Sequence, residues 1–238
     1  MLGATVTSSV RERTVDTRAV RRDATQARIL EAAWRLSRRD GLASLSLREL
    51  AAEVGMRAPS LYTYFPSKND LYDAMYAQGL RQLAEELARV PANPNPVEAL
   101  TQHVRQFAAF CTDDPYRYQL IFERPVPGFV PKPESFAVGV TGLAKIAELA
   151  EAAGVRGERG FDLFRALTTG LVGLQVANEP GGDRFIRLVD EAVEMLVAHF
   201  ASDEGASKRG RNRKDSRTVR AMRTADQTMA TMMGKDRK

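Results

Sequence analysis

Within residues 57–68 the chain gathers a cation, two small hydroxyls, two phenols and a second cation: Arg57, Ser60, Thr63, Tyr62, Tyr64 and Lys68. Serine, threonine and tyrosine hydroxyls donate to phosphate oxygens, and a threonine methyl or Ala58 can meet a thymine methyl in a major groove. With Leu61 at the centre of a buried helical face, steps of about 100° leave Pro59, Ser60, Tyr62 and Thr63 on the open side and Tyr64 at its edge. The chemistry this suits is contact with nucleic acid. Lys68 stands at the start of a further helix, whose free N–H groups add to the positive potential of its ammonium.

Such groups work only if short helices hold them in place, and the flanking sequence supplies the signals. Ser46 followed by Glu49 reads as a capping box, with Leu45 and Leu50 as a hydrophobic staple, so a helix is predicted to start at Leu47. Gly55 ends it, because glycine takes a left-handed C-terminal conformation without a Cβ clash. Small Ala51 lets a second helix pack close, and Leu50, Val54, Met56, Leu61 and Tyr64 pin the pair at a steep angle. The second helix opens near Ala58 and Pro59 and ends by Phe65, since Pro66 disfavours continuation. Ser67 and Asp70 cap the next. This is a helix-turn-helix, which presents its second helix to the major groove.

Residues from Thr25 to about Ala77 resemble the DNA-binding region of the tetracycline-repressor (TetR/AcrR) family of transcription regulators. The resemblance rests on the helix ARILEAAWRLSRRDG ending in Gly41, on Leu50-Ala51, on Gly55, and on the run Leu61-Tyr62-x-Tyr64-Phe65-Pro66-x-Lys68-x-x-Leu71. It implies phosphate contacts from Tyr62, Tyr64 and Lys68 and base-edge contacts from Arg57, Ala58, Ser60 and Thr63. Ser46 and Arg48 complete the expected DNA-contacting set. One departure is Arg57, where the family often has a small hydroxyl residue. The change removes an N-cap and offers a long cation that either reads guanine O6/N7 bidentately or touches phosphate.

Charge is divided unevenly along the 238 residues. Residues 1–76 carry a net charge of +3, residues 77–204 carry −6 and residues 205–238 carry +8, against +5 for the whole. The two ends attract nucleic acid and the middle repels it. Four parts are expected: a basic disordered arm (1–22), a helix-turn-helix domain (23–77), a helical effector-binding and dimerisation domain (78–202) and a basic disordered tail (203–238). The arm holds Arg11, Arg13, Arg18, Arg21 and Arg22. The tail is poor in large apolar residues; it is either a polyelectrolyte grip on DNA or a passive extension. With one cysteine, no apolar run of membrane-spanning length and no apolar leader, a cytoplasmic protein without a membrane partner is expected.

Past Ala77 every periodic segment is helical, so the fold class is all-α, with a three-helix head followed by a helical domain. Breaks are predicted at Pro91–Pro96, at Arg124–Pro133, at Gly154 and at Pro180-Gly181-Gly182. Helices are predicted over 96–112, 115–122, 134–153, 158–178 and 183–200. The last two carry apolar stripes through Leu167, Leu171 and Leu174 and through Val189, Val193 and Leu196. They are expected to form a homodimer interface, with Gly170 and Gly173 permitting close approach, because a helix-turn-helix ordinarily reads two half-sites; the alternative is that both stripes are the core of one subunit. In one branch of the family a His-Gly pair marks the helix around Gly170; here Thr169 stands in place of that histidine.

Aromatic residues concentrate in the middle: Phe107, Phe110, Tyr116, Tyr118, Phe122, Phe129 and Phe136. A pocket for a small hydrophobic effector is expected there, lined by His103, Phe107, Phe110, Tyr118, Phe122, Phe136 and Gln175, with Cys111 as a further polar candidate. The bland alternative is core packing. Enzymatic readings fail on inventory: two histidines and one cysteine make no metal site, and there is no phosphate loop or nucleophile elbow. No cofactor is expected. The function this implies is a ligand-responsive, sequence-specific DNA-binding regulator, a repressor more than an activator, partnered by operator DNA, an effector and a second copy of itself. The alternative is a helical protein-interaction module with nonspecific nucleic-acid affinity from its basic ends.

Overall fold

The computed structural model describes residues 17–123 and 125–207, the last five by backbone only. Among the described residues the chain is all-α and forms no strand. In order come α1 (Thr17–Asp40), α2 (Leu47–Glu53), α3 (Ala58–Tyr62), α4 (Lys68–Ala88), α5 (Pro96–Asp113), α6 (Pro115–Phe122), α7 (Pro133–Ala152), α8 (Gly157–Asn178) and α9 (Val189–Ser207). None of these helices is long and apolar enough to cross a membrane. Two boundaries differ from expectation. Residues 17–22, assigned to the arm, form the opening turns of α1, a stretch that no proline or glycine interrupts; residues 203–207, assigned to the tail, continue α9. The rest of the arm (1–16) and of the tail (208–238) lies outside the described residues.

Local sequence accounts for most helix ends. The Ser46 hydroxyl accepts from the Glu49 N–H at 3.5 Å, Ser67 from Asp70 at 3.1 Å, and Asn95 from both Val97 and Glu98. Half of the expected capping box is replaced, because the Glu49 carboxylate is drawn to Arg39 rather than back to Ser46. At the end of α2 the Gly55 N–H donates to Ala52 and the Met56 N–H to Ala51, with Gly55 at φ +70°. That double bond returns the chain toward α3 and requires the left-handed conformation that glycine adopts at least cost. The last helix begins later than expected. Residues 183–185 turn, Ile186–Leu188 is a single 3-10 turn, and α9 starts at Val189.

In the head, α1 to α3 close over Ile29, Ala33, Leu36, Leu45, Leu50, Ala51 and Leu61, all buried. The body packs α4 against α5, α6 and α7, and α5 against α8 and α9. Head and body are joined by polar as well as apolar contacts. The Trp34 indole donates to Gln78 at 2.8 Å, and the buried Tyr72 hydroxyl donates to the Leu42 carbonyl. Asp73, on α4, accepts from the Lys132 N–H at 2.7 Å and from the Ser135 hydroxyl at 2.8 Å, which moors the start of α7.

Asp114 is the junction that sequence showed only in part. It caps α6, accepting from the Arg117 N–H at 3.2 Å, but its other oxygen takes Arg38 Nε at 3.0 Å and Nη2 at 2.8 Å from α1. The carboxylate is only 4% exposed. Asp114→Ala should therefore lower stability by about 2 kcal/mol, losing a cap and a charge-assisted pair together. Asp114→Asn keeps a capping oxygen and should fall between, as read by urea unfolding; equal stability of all three proteins would contradict the assignment.

Candidate nucleic-acid interface

The open side of α3 is as the helical wheel requires. Leu61 is fully buried, while Pro59, Ser60 and Thr63 are exposed, Tyr62 is 49% exposed and Tyr64 is half-buried. Arg57 is the N-cap of α3, makes no side-chain capping bond and is exposed. Ala58 is half-buried beside it. The Thr63 hydroxyl donates to the Ser60 carbonyl at 2.7 Å, so in this conformation its proton is committed and its oxygen is left to accept. Arg48 is exposed on α2, whereas Ser46 is half-buried and already engaged as the α2 cap.

Lys68 differs from its expected role. Its ammonium donates to the Ala43 carbonyl at 3.0 Å and lies 5.5 Å from the Tyr72 ring centroid, and partial burial lowers its pKa. It first ties the loop after α1 to α4; two ammonium donors remain for a phosphate. A contact that sequence reading missed is Arg22, whose guanidinium lies 5.2 Å from the Tyr64 ring centroid and donates to the Thr63 carbonyl at 3.1 Å. Its place in a run of arginines was visible, but not that the run was helical.

The expected effector residues divide. Phe107, Tyr118 and Phe122 do meet, with ring centroids 5.4 Å (Phe107–Phe122) and 5.5 Å (Tyr118–Phe122) apart. Tyr118 is buried, which pushes its pKa up to about 12 and keeps the phenol neutral. A carbon added at Gly173 would stand 3.1 Å from the Tyr118 hydroxyl oxygen. Gly173 thus makes room inside the subunit rather than for a partner. His103 Nδ1 lies 2.8 Å from the Ala99 carbonyl, so Nδ1 carries the proton and Nε2 is left as the acceptor in the neutral ring.

Three polar or aromatic candidates are otherwise employed. Gln175 is fully buried, its oxygen accepting from the Phe185 and Ile186 N–H groups and its amide donating to the Glu179 carbonyl; it shapes the turn before α9 instead of facing a ligand. Phe110 is covered by the Arg117 guanidinium, 3.9 Å from its centroid. Cys111 is buried and its thiol is pushed well up, so it is an inert core group. Phe136 is half-buried on the first turn of α7. An open cleft of about 460 Å³ lies between α4, α5 and α6, lined by Gln82, Glu85, Glu86, Gln106, Asp113 and Arg117 among others. It is polar, and Glu86 and Asp113 already have partners in Arg89, Gln106 and Arg117.

The expected dimer stripe needs correction on α9. Val189, Val193 and Leu196 are 2%, 1% and 7% exposed in the single chain, so they are core. A β-branched stripe at helical spacing packs inward first. The apolar groups left outside are Leu163 and Leu174 on α8, Leu188 in the turn before α9, and Met195 at 59% exposure on α9. Leu174 was in the expected set; Leu167 and Leu171 are half-buried along the same helix. Gly170 lies on that face with open space beyond its Cα.

Comparison with known proteins agrees with this architecture. Residues 29–75 match the family model described as bacterial regulatory proteins, tetR family. An HTH-type transcriptional regulator of Mycobacterium tuberculosis is 29% identical over 122 residues, 49% of this chain and 51% of that protein. The HTH-type nicotine-responsive transcriptional repressor HdnoR of Paenarthrobacter nicotinovorans is 34% identical over 76 residues, 32% of this chain and 39% of the repressor. The chain thus spans about half, or less, of the length of these curated relatives. The crystal structure of regulatory protein SCO4313 superposes with a TM-score of 0.63 at 25% identity, covering 76% of this chain and 98% of that one. The helix-turn-helix and the exposed face of α3 fall within that match, so the head of the chain is similar to that of the tetR family of bacterial regulatory proteins, and the helical body follows it in the same order as in the superposed structure.

Proposed function

We propose that this protein is a homodimeric, ligand-responsive transcription regulator that docks α3 in the major groove of operator DNA and represses until an effector binds. The observation that carries the reading is the composition of the α3 face: Ser60, Tyr62 and Thr63 stand out from a helix pinned from behind by fully buried Leu61. The Ser60 hydroxyl and the Tyr62 phenol suit phosphate oxygens, the Thr63 oxygen can accept from a base amino group, and Arg57 at the helix start is its guanine-seeking cation. A five-residue helix with so little charge gives limited affinity alone, which favours two copies reading two half-sites. The two copies would pair through Leu163, Leu167, Gly170 and Leu174 of α8 with Leu188 and Met195.

The effector is proposed to be small and largely apolar, entering at Phe107, Tyr118 and Phe122, where Phe122 is 38% exposed and opens the aromatic cluster to the surface. His103 Nε2 offers one polar anchor on the same helix as Phe107. A response to a small molecule is what the name of the nicotine-responsive repressor relative describes. Footprinting on DNA flanking the protein's own gene, repeated with a panel of hydrophobic ligands, tests both halves. A protected site that disappears with one ligand is expected; no protected site at any concentration would overturn the reading. Tyr62→Ala should weaken binding to all duplexes, while Arg57→Ala should relax preference at one base pair at a cost of about 1–3 kcal/mol. Gel shifts on single-base operator variants separate the two.

A further inference from the structure

The first half of α1 lies outside the family match, which begins at residue 29, yet it touches the reading segment. Two of its arginines reach across to the helix-turn-helix. Arg28 Nη2 donates to the carbonyl of Val54, the C-cap of α2, at 3.5 Å, and Arg22 Nη2 donates to the carbonyl of Thr63, the C-cap of α3, at 3.1 Å. The last carbonyls of a helix have no intrahelical partner, and the end they form is negative, so a guanidinium there is both bonded and attracted. Arg22 adds a second contact by lying over the Tyr64 ring. One α-helix therefore holds the C-terminal ends of both short helices.

We infer that the DNA-binding unit extends back from residue 23 to the start of α1 at Thr17, and that Arg22 is a positioning residue that sets the angle of α3 and the direction of the Tyr62–Tyr64 segment against DNA. It acts through Thr63 and Tyr64 and not by touching phosphate. The inference rests on the functional reading above. α3 is five residues long and cannot fix its own direction by helical hydrogen bonds alone. Arg22 is exposed, so its removal leaves the core intact. The planar guanidinium matters twice, once for the directed bond to the carbonyl and once for stacking on a phenol, and lysine reproduces neither.

The test measures binding of the full chain to its footprinted operator and to a random duplex, each at several salt concentrations, for wild type, Arg22→Ala, Arg22→Lys, Arg22→Gln and Tyr62→Ala. Arg22→Ala should lose operator affinity by about tenfold, the worth of one ordinary hydrogen bond. Random-duplex affinity should fall as well, because misdirected Tyr62 and Tyr64 lose phosphate contacts on any sequence, while the salt slope should stay at its wild-type value, since no cation–phosphate contact is removed. Arg22→Lys should not restore operator affinity, and Arg22→Gln should recover part of it only if the carbonyl bond dominates over the stack. Melting followed by Trp34 fluorescence should be unchanged. A salt slope lowered by about 0.9, with rescue by lysine, would make Arg22 a direct phosphate contact and overturn the inference. Wild-type operator affinity in Arg22→Ala, with Tyr62→Ala impaired, overturns it while leaving the functional reading intact. If wild type itself prefers no duplex, both fail.

Discussion

Leu174→Arg should leave the chain folded but monomeric, with operator affinity reduced by about 10²–10⁴-fold. Leu174 is 47% exposed in the single chain, so an arginine there displaces no core atom. In a paired structure it would bring a desolvated cation onto a face made of Leu163, Leu167 and Gly170. The loss follows from valency: linked binding sites gain about 10²–10⁴ in avidity from effective concentration, and a monomer forfeits that gain without any change at α3. Met195→Arg, on α9, should do the same. Sedimentation together with operator titration checks both. A variant that still sediments as a dimer removes this face from the interface, whereas a monomeric variant with wild-type affinity would show that one half-site suffices.

Leu61→Ala should destabilise the head by about 2–5 kcal/mol and abolish operator binding at temperatures where the wild type binds. Leu61 is fully buried and is the buried residue of α3, so truncation opens a cavity beneath the helix that carries the exposed hydroxyls. The protein's single tryptophan, Trp34, is a built-in reporter: it is 4% exposed in α1 and hydrogen-bonded to Gln78. Urea unfolding followed by its fluorescence should show the midpoint falling in the variant. Conversely, Ser60→Ala, at an exposed position on the same helix, should leave the midpoint in place. Equal midpoints for Leu61→Ala and wild type would mean that α3 is not anchored as described.

Local signals in the sequence were sufficient for where the helices of the head start and stop. Ser46, Gly55, Pro59 and Ser67 act within three or four residues of themselves, so their consequences do not depend on the rest of the fold. The same holds for Asn95 and Asp114 as caps. What escaped were effects that depend on which of several apolar stripes meets the core. Val189, Val193 and Leu196 make an apolar stripe that the need for two half-sites assigns to an interface, but helical spacing does not say whether the neighbour is the same chain or another. The exposed face was harder to see because Met195 and Leu188 sit among Asp190, Glu191 and Glu194.

Polar residues misled for a related reason. Gln175 is a candidate polar group for a pocket by sequence; its amide is instead bonded to the backbone of residues 179–186, which fold back only in three dimensions. Arg22 looked like part of a loose basic flank. Its partners, Thr63 and Tyr64, are more than forty residues away in the chain.

Asp114 gives the molecule a property that belongs to neither the head nor the body. One oxygen of a single carboxylate closes the first turn of α6 and the other holds a guanidinium of α1, so the two bonds are not independent quantities. Any event that frays α6 at Pro115 lets the carboxylate swing and loosens Arg38, and any event that pulls Arg38 away removes the charge that keeps the carboxylate set against the helix. By thermodynamic reciprocity the two influences are equal in size. The aromatic cluster containing Tyr118 and Phe122 is built on that same eight-residue helix. The rings and the head therefore share one short helix, with Asp114 as the pin at its end.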